Sequence, residues 1–319
     1  MDNIKQELIS SIVQSAEKVI QLLANGDSTE KKGSLKGENI LLYGLPGCGK
    51  SHTIKTEYCS EDDKMERVVF HPDYTYSDLV GQVIPRVDEV TGKLEYIFNP
   101  GPFTRILNKA IKSKEDVMYY FVIEEINRGN APSIFGDIFQ LLDRNPSGES
   151  LYGVTNYDIA DKVYESGSEK KVKIPANLTI LATMNTSDQN VFTLDTAFKR
   201  RWGMRMIIND FNSVSFADEE LFGTKVTWRK FAETINKKVV DNDSGILSNE
   251  DKRLGAHFIS EAEATDCNSF AEKVLMYLWY DVFRYNRDDI FKDENNTLEE
   301  LIINFKSTKF EVFKLKFNE

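Results

Sequence analysis

The sequence predicts an α/β fold, a parallel sheet covered by helices on both faces, followed by a mainly helical second domain. Three observations carry that expectation. Short apolar runs recur at Asn39–Tyr43, Arg67–His71, Met118–Ile123 and Leu178–Met184, which is how strands buried on both faces read. Helical stretches separate them at 51–59, 102–113 and 131–143, and alternating strands and helices build parallel sheets. Beyond about Asp210 no comparable run occurs until the short Phe310–Phe317 alternation, whereas Trp228–Val239 and Ser269–Tyr285 carry apolar residues at helical spacing. The expected division is therefore 1–37, an N-terminal helix and linker; 38–210, the α/β core; and 211–319, the helical domain.

Individual elements follow from local pattern. Ile4, Leu8, Ile12, Val19 and Leu23 share one helical face, so residues 4–23 are expected to form a helix. Asn25–Gly37 is polar, lacks periodicity and reads as an entry loop. Between the second and third runs, Val83–Asn99 holds Pro85, a turn region at Asp88–Gly92 and the alternating Leu94–Phe98, the pattern of a β-hairpin. Arg144–Val172, with Gly148, Gly153, Gly167 and many charges, is expected to be a mobile loop or ribbon facing a partner.

Composition narrows the function. The 319 residues are 41% hydrophobic and 29% charged, with a net charge of −11. No run of 18 apolar residues occurs, so no membrane helix is expected. The start, MDNIKQELISSIVQSAEKVI, lacks the basic, apolar and small-residue segments of a signal peptide. Cys48, Cys59 and Cys267 form no CxxC pair or disulfide framework, and a reducing cytoplasm is expected. With only His52, His71 and His257 available at unsuitable spacing, structural zinc is not expected. The negative charge argues against nucleic-acid binding over most of the surface, though not against a local basic lining. Lys170, Lys171 and Lys173 read as a solvated charge run, Trp202, Trp228 and Trp279 as packing anchors, and His257 as a structural or surface histidine.

Two segments carry chemistry. Gly44-Leu45-Pro46-Gly47-Cys48-Gly49-Lys50-Ser51 is a full GxxxxGK[ST] between an expected strand and an expected helix. Its glycines let backbone N–H groups turn toward phosphate oxygens, and the following helix start adds a favourable dipole. Lys50 is placed to reach the β- and γ-phosphates and Ser51 to hold Mg²⁺; Gly44, Pro46, Gly47, Cys48, Gly49 and His52 complete the expected nucleotide contacts. The second segment, Tyr120-Phe121-Val122-Ile123-Glu124-Glu125-Ile126-Asn127, is a buried strand ending in two carboxylates. Glu124 is expected at the metal and Glu125 at the attacking water, since phosphoryl transfer depends on positioning and charge stabilisation.

From here the sequence resembles a known family. Val122–Asn130, VIEEINRGN, looks like the Walker B segment of the McrB family, GTP-hydrolysing AAA+ subunits of modified-cytosine-dependent restriction systems. Met184-Asn185-Thr186-Ser187-Asp188 resembles its MNTxD signature, and Leu194–Trp202 its LDxAxxRRF segment. Tyr76–Gly81 and Asn99–Phe103 resemble its insertion around the hairpin, and Asp251–Gly255 its lid segment. The resemblance runs in order over about residues 38–260. It implies an AAA+ P-loop core with a helical lid, nucleotide held between subunits, and a ring homo-oligomer, a hexamer. It further implies Asn185 as the sensor of the catalytic water, Asp188 as a support of the nucleotide or the subunit joint, and Arg200 and Arg201 as arginine-finger candidates. Glu124 stands where that family has Asp, and Asp188-Gln189-Asn190 departs from its continuation of the sensor motif.

The implied function is a GTPase motor working with a McrC-like nuclease subunit, meeting DNA through the assembled complex. GTP is carried by resemblance, because no NKxD motif is present, and ATP stays open. The alternatives are an ATP-driven remodeller of the MoxR or dynein-related kind, acting on protein, and a slowly hydrolysing, nucleotide-gated scaffold suggested by Glu124.

Overall fold

The computed structural model describes residues 35–113, 116–164, 170–186, 191–241 and 250–317. The helix expected at 4–23 lies outside the described residues. Lys36–Glu319 form one compact unit.

In chain order the strands are β1 (Asn39–Gly44), β2 (Met65–Val69), β3 (Gly81–Val87), β4 (Leu94–Pro100), β5 (Tyr119–Glu124), β6 (Leu178–Asn185) and β7 (Gly203–Met206). Five of them form a parallel sheet in the order β2-β5-β6-β1-β7. The four apolar runs are four of its strands; β7 is an additional edge strand that the sequence pattern did not announce. The expected hairpin is present as β3 paired antiparallel with β4.

Side chains alternate between the two sheet faces along each central strand, as the period of two requires. Leu41, Phe121, Ile123, Ile180 and Ala182 join the larger cluster on one face. Leu42, Val122 and Leu181 meet Ile54 on the other. Ile54 follows α1 (Lys50–Thr53), which continues as a π-helical turn over Ile54–Tyr58. The larger cluster is closed by α2 (Tyr76–Val80) and α3 (Pro102–Lys112). In α3, proline opens the helix where its missing N–H costs nothing, and Phe103, Ile106, Leu107 and Ala110 fall on the buried stripe.

The expected helix at 131–143 is broken. α4 (Ala131–Phe135) stops, and a 3₁₀ segment runs over Gly136–Leu142. At the break Gly136 has φ 51°, and a Cβ there would sit 2.8 Å from the Tyr76 ring. Packing of Tyr76 thus overrides local helical preference.

The insertion after Asp143 is anchored rather than loose over its described residues. Arg144, partly buried, donates to Asn39 Oδ1 and to the carbonyls of Gly148, Pro175 and Leu178 at 2.9–3.5 Å. Its acceptors are all neutral, so burial lowers the guanidinium pKa to about 10. Farther out, α5 (Tyr157–Val163) buries Ile159, Ala160 and Val163, and Val154 pairs with Val172. A single turn, α6 (Thr196–Lys199), capped by the Asp195 side chain, precedes β7.

A second apolar cluster spans residues 211–317 and is built on α7 (Trp228–Asp241), α8 (Glu261–Thr265), α9 (Cys267–Phe270) with its π-helical continuation, and α10 (Leu298–Thr308). Trp228 lies fully buried with its indole N–H on the Ala256 carbonyl at 2.8 Å, as a packing anchor requires. The Phe310–Phe317 alternation is not a strand: it forms a 3₁₀ turn at Lys309–Val312 and one bridge from Phe313 to Phe291. No helix among the described residues is long and apolar enough to cross a membrane.

Candidate functional site

β1 delivers the chain to the loop Gly44–Ser51 at the edge where β5 and β6 also end. Lys50 is 7% exposed, and its ammonium donates to the carbonyls of Gly44 (3.1 Å) and Leu45 (2.8 Å). The lysine therefore closes the loop on itself while its charge stays at the loop's centre. Burial pushes the Cys48 thiol pKa up, against a smaller downward pull from Lys50, so Cys48 is a neutral wall of the loop.

Two carboxylates end β5 beside this loop. Ser51 Oγ donates to Glu124 Oε1 at 3.1 Å, and Arg67 on neighbouring β2 pairs with the same oxygen. Glu125 sits at the turn, in the left-handed region with φ 54° and ψ 47°, a conformation uncommon for a residue with a side chain. Its N–H donates to Thr183 Oγ1, and Asn185 Nδ2 spans both of its carboxylate oxygens at 2.9 and 3.0 Å. Arg128 Nε adds a third bond to the carboxylate at 3.1 Å. Glu125 is thus held from β6 as well as from its own strand, in a fixed orientation. Asn127 Nδ2 reaches the Asn185 carbonyl, tying the two strand ends once more. The structure brings together Lys50, Ser51, Glu124, Glu125 and Asn185; Asp188 lies outside the described residues.

Ser51 and Glu124 converge from two elements with oxygen donors only, which fits a magnesium ion. That ion takes one or two protein ligands plus phosphate oxygens and keeps several waters, so the lack of any cluster of three potential metal-binding residues among the described residues is compatible with it.

On the other side of the loop lies the chain after β7. The His257 N–H donates to the Gly47 carbonyl at 2.7 Å. Gly47 has φ 71°, and a Cβ on it would lie 2.8 Å from Phe258 Cα. Gly255 is tighter still, with its absent Cβ 2.3 Å from the Pro46 carbonyl oxygen and 2.4 Å from Gly47 C. Gly255→Ala is expected to cost about 1–3 kcal/mol through overpacking and to weaken nucleotide binding by moving the loop. Chemical denaturation and titration with a fluorescent nucleotide analogue measure the two effects; a variant unchanged in both would show that the contact yields without cost.

His257 therefore lies against the phosphate loop. Its ring stacks on His52 with centroids 5.5 Å apart, and Nε2 shares a hydrogen bond with Ser213 Oγ at 3.0 Å. These residues border a cleft of about 400 Å³ beside the loop, whose wall includes Arg205, Ile207, Ile208 and Asp210. Burial, and then the neighbouring His52, lower the His257 pKa below its ordinary 6.5. The unfolded chain thus takes up this proton more readily than the folded one. The neutral ring's contribution to stability is complete above the ordinary value and is lost as pH falls through the lowered one. The unfolding temperature is expected to fall on acidification below about pH 6.5, with His257→Gln reducing that slope; an identical slope in the variant would assign the proton to another group.

Arg200 and Arg201 lie at the opposite end of β1. Asn39, the first residue of β1, donates to the Arg201 carbonyl at 3.0 Å, and Gly203 pairs with Ile40. The two arginines differ. Arg201 is 10% exposed, paired with Asp143 at 2.8 Å, bonded to the Ala197 carbonyl at 2.7 Å and stacked 4.1 Å over the Phe139 ring. Arg200 is exposed, and among the described residues nothing engages its guanidinium.

Residues 39–202 match the AAA domain of the dynein-related subfamily. The chain belongs to that family, whose members are nucleotide-hydrolysing proteins. It is 36% identical over 313 residues to the Type II restriction enzyme BsuMI component YdiS of Bacillus subtilis (strain 168), covering 86% of this chain and 89% of that protein. It is 27% identical over 226 residues to the Type IV methyl-directed restriction enzyme EcoKMcrB subunit of Escherichia coli (strain K12), covering 69% of this chain and 46% of that subunit. Within the AAA family it is thus a McrB-like AAA+ protein, related to components of restriction systems.

Proposed function

We propose that this chain is the GTP-hydrolysing motor subunit of a McrBC-like restriction complex, with catalysis at the joints of a homo-oligomeric ring, a hexamer. Residues 38–210 serve as the nucleotide-binding core and 211–319 as the lid. The observation that carries the reading is the split of the machinery within one chain: Lys50, Ser51, Glu124, Glu125 and Asn185 lie at one sheet edge, and Arg200 at the other. An exposed guanidinium that distant from its own loop serves hydrolysis by entering a neighbour's site. The likeness to two restriction components supports a McrC-like nuclease as partner, with DNA engaged by the assembly.

In this mechanism Lys50 and the loop amides bind the β- and γ-phosphates. Ser51 and Glu124 would hold magnesium, which would supply charge neutralisation on the phosphate oxygens. Glu125, oriented by Asn185, aligns the attacking water and accepts its proton. Arg200 of the adjacent subunit stabilises charge on the transferring group.

Measuring GTP and ATP hydrolysis side by side across protein concentration tests the proposal. GTP preference and a specific activity that rises with assembly are expected. ATP preference would favour the second reading, an ATP-driven remodeller, which the dynein-related family match also fits. Turnover per subunit independent of concentration, in a monomer, would remove the trans arginine.

A further inference from the structure

Resting on the trans role of Arg200, we infer that Asp143 and Phe139 are positioning residues: they clamp Arg201 so that Arg200 is presented outward, and they tie that presentation to the chain's own catalytic glutamate.

Arg201 uses its side chain wholly inside the chain. One amino group meets the Asp143 carboxylate, the other meets the Ala197 carbonyl, and the guanidinium plane lies over Phe139. Charge-assisted bonds and stacking on an aromatic face are the two interactions that suit a guanidinium best, and together they fix both position and plane. Arg200 is the adjacent residue, on the exposed side of the same turn, so fixing the backbone at Arg201 fixes where Arg200 starts.

The clamp also has a direction. Phe139 belongs to the 3₁₀ segment Gly136–Leu142 and Asp143 follows it directly; that segment follows α4, which follows Glu125–Arg128. A second link joins the same two stretches, because Phe192 N–H donates to the Asn127 carbonyl at 2.8 Å. Residues 125–143 and 191–202 are therefore connected near Glu125 and again near Arg200. A shift of Glu125 as its own site changes nucleotide state has a packed route to the arginine that serves the next site. Phe198, fully buried and stacked on Phe139 with centroids 5.4 Å apart, stiffens that route.

The test uses the full chain with GTP and Mg²⁺, and its variants Asp143→Asn, Phe139→Leu, Arg200→Ala and Glu125→Gln. Arg200→Ala is expected to lower kcat by a factor on the order of 10³, the lower end of arginine-finger effects, with nucleotide affinity kept. Asp143→Asn and Phe139→Leu are expected to lower kcat at least about tenfold, one unit of free energy at 1.36 kcal/mol, with KM and fluorescent-nucleotide affinity unchanged. Mixing separates donor defects from site defects. Arg200→Ala subunits have an intact site and a faulty donor, whereas Glu125→Gln subunits have the reverse. Asp143→Asn mixed with Glu125→Gln should regain turnover, and mixed with Arg200→Ala should not. A merely loosened fold would raise KM and lower the unfolding temperature without that mixing pattern. Full activity of Asp143→Asn and Phe139→Leu beside an inactive Arg200→Ala would overturn the clamp while leaving the trans arginine standing. An active Arg200→Ala would remove the trans arginine itself.

Discussion

Glu125→Gln is expected to reduce hydrolysis by about 10²–10⁴-fold, the usual worth of a positioned general base, while leaving nucleotide binding intact. The substitution is close to isosteric, and the site is equipped to accept it. Asn185 now donates to both carboxylate oxygens; facing a glutamine amide, it can rotate its own amide to offer its oxygen to the new N–H₂ group. The remaining donor, Arg128, keeps an oxygen partner. The loss therefore falls on proton acceptance and water alignment rather than on local structure. Single-turnover hydrolysis together with equilibrium nucleotide titration measures the two quantities. Turnover at the wild-type rate would transfer the base to another group and favour a nucleotide-gated scaffold.

Lys50→Ala is expected to abolish measurable nucleotide affinity at micromolar nucleotide and, with it, turnover. Two losses combine. In the proposed mechanism the buried ammonium supplies the positive charge facing the phosphates, and charge-assisted bonds of that kind are about twice as strong as neutral ones. It also bonds two loop carbonyls, so its removal leaves acceptors without a donor, at about 1–3 kcal/mol for each that stays buried. Lys50→Met should separate these, because it restores bulk without charge: stability recovers in part and affinity does not. Calorimetric unfolding and nucleotide titration of both variants provide the comparison. Tight binding by Lys50→Met would show that the loop amides alone suffice.

The sequence was most legible where function is local. The phosphate loop is eight consecutive residues, and the three central strands, β1, β5 and β6, are apolar runs that stay apolar because both faces are covered. β7 escaped notice because Gly203–Met206 is a short edge strand whose side chains are mostly exposed, leaving no hydrophobic period to read. The break in the helix at Gly136 was hidden for the opposite reason: its cause, the Tyr76 ring, is distant in sequence. The same holds for His257, whose contacts with Gly47, His52 and Ser213 are long-range and partly through backbone. The roles proposed for Asn185 and the arginine pair came from resemblance to a family. Their geometry, and the difference between a clamped Arg201 and an exposed Arg200, came only from the fold.

β1 carries the phosphate loop at its last residue and holds the Arg201 backbone at its first. Six residues of strand separate the two by roughly 17 Å at about 3.3 Å per step. A subunit built on such a strand has a head and a tail. In the proposed trans arrangement the arginine end of one copy meets the loop end of the next. Repeated head to tail, such contacts either close into a cyclic ring or grow without limit. In the proposed ring every joint is then identical and points the same way round, and the lysine and the arginine carried by one short strand serve two different sites.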